Sequence, residues 1–61
     1  MNITEYKKYI EDLQKLADGT KLVDMFGFTW YKRPDGVETD YGVKHLWWSI
    51  FIPKDLKADG K

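Results

Sequence analysis

Thr29-Trp30-Tyr31-Lys32-Arg33-Pro34-Asp35-Gly36-Val37-Glu38-Thr39-Asp40, residues 29–40, is the stretch on which the fold turns. Two runs rich in β-branched and aromatic residues flank Arg33-Pro34-Asp35-Gly36. Proline suits the first central position of a type I turn, aspartate tolerates the second, and glycine supplies a left-handed residue that makes a bulge. The stretch therefore reads as an antiparallel hairpin with a three-residue loop. If Arg33 pairs with Val37, Trp30 faces Asp40 on one side of the ribbon and Tyr31 faces Thr39 on the other.

Working outward, residues 20–32 read as one long strand and 37–41 as its partner. Asp40-Tyr41-Gly42 offers a second break, after which 43–52 forms a further strand ending before Pro53, which cannot donate to a ladder. Two strands are the minimum and three the preferred reading, because a lone hairpin is a thin cover for a helix. Alternation along these strands gathers Leu22, Phe26, Phe28, Trp30, Leu46, Trp48, Ile50 and Ile52 on one face. The opposite face carries Val23, Met25, Tyr31, Tyr41, Val43, Trp47 and Phe51. Asp24 is discordant on the first of these faces, and calls for either a sheet margin or a bulge near Gly27 that shifts the phase.

Before the sheet, residues 3–17 read as a helix. Ile3, Tyr6, Ile10, Leu13 and Ala17 recur at helical spacing and form one stripe, widened by Tyr9 and Leu16. Lys7, Lys8, Glu11, Asp12 and Lys15 make the solvated side. Asn2 is the expected N-cap, with Glu5 completing a capping box, and Gly19 is the expected left-handed residue beyond the C-cap. A helix cap this near Met1 reads as a natural gene start. The tail 54–61 is charged and ends in Gly60-Lys61, so it is expected to fray, with Leu56 as the residue able to dock back. The fold class is accordingly α+β: a single small domain with one N-terminal helix on a twisted antiparallel sheet of two to three strands.

Composition limits the chemistry. The chain has 61 residues, ten Lys+Arg against ten Asp+Glu, one histidine and no cysteine. Disulfides and thiolate zinc sites are excluded, and a lone His45 does not anchor a metal, so neither metal nor cofactor is expected. Ten aromatic rings are then the main source of core area. No apolar run reaches the roughly 18–20 residues of a membrane span, and the N-terminus lacks a signal-peptide core. With no cysteine either, a cytoplasmic protein is expected.

His45 lacks an acid on its own sheet face and a nucleophile in reach, so it is read as structural. Glu11-Asp12 and the Glu38, Asp40 pair read as solubility and edge protection, and the glycines as turn formers. No catalytic constellation emerges, and an enzyme is not expected. One helix covers one sheet face, which leaves the second apolar face for a partner. Met25, Tyr31, Tyr41, Val43, Trp47 and Phe51 are the candidate binding residues. The leading expectation is a small stand-alone protein-interaction module, an inhibitor or modulator of one macromolecular partner. Phage and mobile-element products of this size supply the analogy. A homodimer through the same face is a further possibility. The alternative is a single-strand nucleic-acid module that stacks bases on Tyr31, Tyr41 and Trp47 among Lys21, Lys32, Arg33, Lys44 and His45. Asp35, Glu38 and Asp40 and the neutral net charge weigh against it.

Overall fold

The computed structural model describes residues 2–59. Helix α1 spans Ile3–Gln14 and is followed by β1 (Lys21–Val23), β2 (Thr29–Arg33), β3 (Gly36–Thr39), β4 (Lys44–Leu46) and β5 (Lys57–Ala58). The strands form one antiparallel sheet in the order β4-β3-β2-β1-β5. The α+β class is as expected, but two to three strands become five.

The capping box forms as expected. The Glu5 amide donates to Asn2 Oδ1 at 2.8 Å, and the Asn2 amide donates to Glu5 Oε1 at 3.1 Å. The helix ends three residues before the expected Ala17. Lys15 N–H reaches both Glu11 O and Asp12 O, and Leu16 N–H reaches Leu13 O, which tightens the last turn. Thr20 then closes a second turn, with its amide and its hydroxyl both donating to Ala17 O. Gly19 does take a left-handed conformation, at φ 87°, and its amide donates to Lys32 O at 2.7 Å. It thereby launches β1 alongside β2 instead of terminating the helix.

The long strand expected over residues 20–32 is two strands joined by a loop at residues 24–28. Asp24 and Gly27 cause the break, as detailed below. The central hairpin also differs by one residue from the expected register. Arg33 pairs with Gly36, Lys32 with Val37, Tyr31 with Glu38 and Trp30 with Thr39. The loop is therefore only Pro34-Asp35, and Gly36 is a strand residue with no positive φ. Its role is steric. A Cβ at Gly36 would run into the His45 carbonyl and lie 2.8 Å from the Leu46 Cα across β4. Any larger residue would push β4 off β3.

A one-residue slip exchanges faces. Leu22, Trp30, Lys32, Val37, Thr39 and His45 now share the face that meets α1. The core comprises Ile10, Leu13, Leu22, Trp30, Val37, Ile52 and Leu56, with Tyr6, Tyr9, Leu16 and Trp47 packed against it. The other face holds Lys21, Val23, Tyr31, Arg33, Glu38, Lys44 and Leu46, and charged residues predominate on it. Arg33 Nε donates to Glu38 Oε1 at 3.0 Å and its guanidinium lies 5.5 Å from the Tyr31 ring centroid. The expected second apolar sheet face is thus absent, and the sheet is apolar inside and polar outside like most antiparallel sheets.

Residues 47–56 cross from the end of β4 to the start of β5 and give α1 its floor. The Tyr9 hydroxyl donates to Pro53 O at 2.6 Å and accepts from the Leu56 amide at 2.9 Å, and the Tyr6 hydroxyl donates to Ser49 O at 3.3 Å. Burial pushes the Tyr9 phenol up to about 12, helped by the nearby Asp55 and Tyr6 and opposed by the Leu56 N–H. This crossover replaces the strand expected over 43–52, of which only Lys44–Leu46 is extended in the sheet. Leu56 is buried and β5 pairs with β1 through Leu22–Ala58 and Val23–Lys57, so the tail up to Asp59 is held where fraying was expected. Gly60 and Lys61, the remainder of that tail, lie outside the described residues.

Candidate interaction surface

Successive strands of the β1–β4 meander run in opposite directions, so the β1–β2 loop and the β3–β4 loop emerge at the same end of the sheet. The first loop is built on one carboxylate. Asp24 Oδ1 accepts the amides of Phe26 and Phe28, both at 2.9 Å, and Asp24 Oδ2 accepts the Trp30 indole N–H at 3.2 Å. The Asp24 backbone adds two bonds, accepting from Gly27 N–H and donating to Phe28 O. Gly27, at φ 82°, supplies the left-handed residue that this geometry needs. A bond from the Met25 amide to Asp55 Oδ2 at 2.7 Å ties the loop to the crossover. Burial pushes the Asp24 carboxyl up. The hydrogen bonds from Phe28, Trp30, Phe26 and Gly27 more than offset that and hold it below its ordinary value.

With the polar groups turned inward, the apolar side chains point out. Met25 is 74% exposed, Phe26 77% and Phe28 62%. Beside them, the β3–β4 loop is closed by Thr39 N–H to Val43 O at 2.8 Å and by Val43 N–H to Thr39 Oγ1 at 2.9 Å, with Gly42 at φ 93°. It presents Tyr41 and Val43, both exposed. One end of the sheet therefore carries five exposed apolar side chains on two hydrogen-bonded loops. Monomers rarely leave such a concentration bare without a use for it.

Three of the candidate binding residues, Met25, Tyr41 and Val43, come together here. The other three do not join them. Tyr31 is half-buried on the polar sheet face under Arg33. Trp47 packs on the core near the opposite end, its indole N–H donating to Pro34 O at 2.9 Å. Phe51 is exposed on the crossover, its ring 6.3 Å from that of His45, which in turn lies 5.5 Å from Trp30. Sequence reasoning placed Phe26 and Phe28 inside. The signal that could have placed them outside is Asp24-Met25-Phe26-Gly27: an aspartate that caps following amides, then a left-handed glycine.

The cations once grouped with the aromatics are committed to carboxylates. Lys21 pairs with Asp59 at 3.2 Å, Lys44 with Asp35 at 3.3 Å and Arg33 with Glu38. Lys32 is buried, its ammonium 2.6 Å from Asp18 Oδ1. Among the described residues, no group of three His, Asp or Glu side chains could hold a metal ion, and no helix is long and apolar enough to cross a membrane. No protein family matches the chain, and no curated protein or solved structure is significantly similar to it.

Proposed function

We propose that the chain is a protein-interaction module, not an enzyme, which binds one protein partner through the Met25, Phe26, Phe28, Tyr41 and Val43 end of its sheet and thereby modulates that partner. One observation carries this reading: three large apolar side chains stand in solvent on a loop whose backbone is fixed by the Asp24 carboxylate. A fixed loop loses little conformational entropy on docking, so its aromatics can deliver more of their burial energy to affinity. Lys21, Lys32, Arg33 and Lys44, the cations that base stacking would need among the aromatics, are each paired with a carboxylate, which favours protein over nucleic acid.

The test is comparative capture. Immobilised wild-type chain and a Phe26→Ser, Phe28→Ser double variant are exposed to the same host lysate, and a protein kept by the first alone is purified and titrated directly. The reading expects saturable binding that weakens about 30-fold or more in the double variant. Equal binding by both chains would remove this surface from the account.

A further inference from the structure

A second exposed apolar surface lies away from that loop end, where the crossover meets the start of α1. Trp48 is 81% exposed and Ile50 80%, and Phe51 and Ile3 are nearly as open. Asn2, Ile3, Tyr6, Ile50 and Lys54 line a groove of about 300 Å³ between helix and crossover. Local bonds hold the protruding residues in place. Ser49 N–H donates to Leu46 O at 2.8 Å, Phe51 N–H to Ser49 Oγ at 3.1 Å, and the Tyr6 hydroxyl to Ser49 O.

From this arrangement we infer that a second copy of the chain covers the surface, forming a twofold dimer. Area is the first ground. Ile3, Trp48, Ile50 and Phe51 together expose roughly 600 Å² of apolar side chain. Each subunit of a standard stable interface buries about 800 Å², of which roughly 65% is apolar in a homodimer. The patch therefore matches the apolar share that one subunit of a dimer contributes. Charge is the second ground. Ten cations balance ten anions, so no net repulsion opposes the approach of an identical chain. Closure is the third. A surface that pairs with its own copy about a twofold axis is used up in both chains, so the assembly stops at two.

Sedimentation velocity from about 1 μM to 1 mM tests the inference. The mass should rise from 7.2 kDa toward twice that value. Ile50→Lys and, independently, Trp48→Ser should each raise the dissociation constant about 30-fold or more, with unchanged circular dichroism because both side chains are solvent-exposed. Met25→Ser, on the other surface, should leave the dimer intact. A 7.2 kDa species throughout would overturn the inference, as would growth beyond a dimer or a dimer indifferent to both variants. So would a monomer whose tryptophan emission shifts only on phosphatidylcholine vesicles, which would assign the surface to lipid. None of these outcomes bears on the loop-end surface, whose own test reads partner binding.

Discussion

The Asp24 carboxylate accepts the Trp30 indole N–H at 3.2 Å, joining the base of an exposed loop to a buried ring of the core. The same side chain fixes two amides of the loop, so its loss leaves three donors without their partner. Asp24→Ala should lower the urea unfolding midpoint, because the Phe26 and Phe28 amides and the Trp30 indole lose their common acceptor. Asp24→Asn should cost less, because an amide oxygen can still accept some of these bonds. A variant as stable as the parent would show that the loop is not organised by this residue.

Acid should act on the same network. The folded Asp24 carboxyl ionises below its ordinary value of 3.8. A group with a depressed folded value stabilises fully above its unfolded value and ceases to do so as pH falls through the folded one. Amide signals of Phe26 and Phe28 and the Trp30 indole signal should therefore titrate together, with a midpoint below 3.8. A midpoint above that value would contradict the hydrogen-bonded geometry.

Gly36 tests the hairpin register. A Cβ there meets the His45 backbone, which cannot rotate away as a side chain could. Gly36→Ala should destabilise by about 2 kcal/mol or more and should loosen β4 first, visible as faster amide exchange at residues 44–46. The three-residue loop expected from the sequence would place this glycine in a turn, where alanine would be strained by positive φ and β4 untouched.

These two sites also show how far the sequence could be read. The capping box, the helical stripe and the existence of a hairpin at Pro34 were legible, because each rests on contacts within a few residues. Whether Pro34-Asp35 or Pro34-Asp35-Gly36 forms the loop was not, because the choice depends on β4 passing close to Gly36. That single residue of register decided which face Glu38 and Lys44 joined, and so whether the outer face was apolar or polar. Asp24 is visible in the sequence as a discord on an apolar face, which a sheet margin or a bulge near Gly27 would also explain; that it organises a turn depends on its bonds to Phe26, Phe28 and Trp30. β5 was hidden because Lys57 and Ala58 have little strand character and are extended only by pairing with β1. Met25, Tyr41 and Val43 came to the candidate surface through topology, which a face-by-face reading of one hairpin could not reveal.

Lys32 and Asp18 give an asymmetric prediction. The lysine is buried beside the core while its partner is largely exposed. Asp18→Ala strands a buried ammonium and should cost about 1–3 kcal/mol. Lys32→Met keeps the apolar stem and removes the charge, so it should cost less than Asp18→Ala in the same urea series. The reverse order would mean that the ammonium makes stabilising contacts beyond Asp18.

Tyr9 holds the crossover to the helix through two bonds, to Pro53 O and from Leu56 N–H. Tyr9→Phe should cost about 1–3 kcal/mol. Because burial raises the phenol from 10.0 to about 12, the wild-type chain should keep this stabilisation below pH 10 and lose it as pH climbs through 12. The phenylalanine variant should lack that alkaline step in a pH series of unfolding midpoints.

Exposure of Phe26 and Phe28 for the sake of a partner is the central claim, and binding and stability measured on one sample of the Phe26→Ser, Phe28→Ser variant test it most directly. The folding free energy should stay within about 0.5 kcal/mol per substitution of the parent, and partner affinity should fall about 30-fold or more. A loss of about 3–5 kcal/mol per ring, as for rings removed from a core, or full affinity in a stable variant, would contradict it.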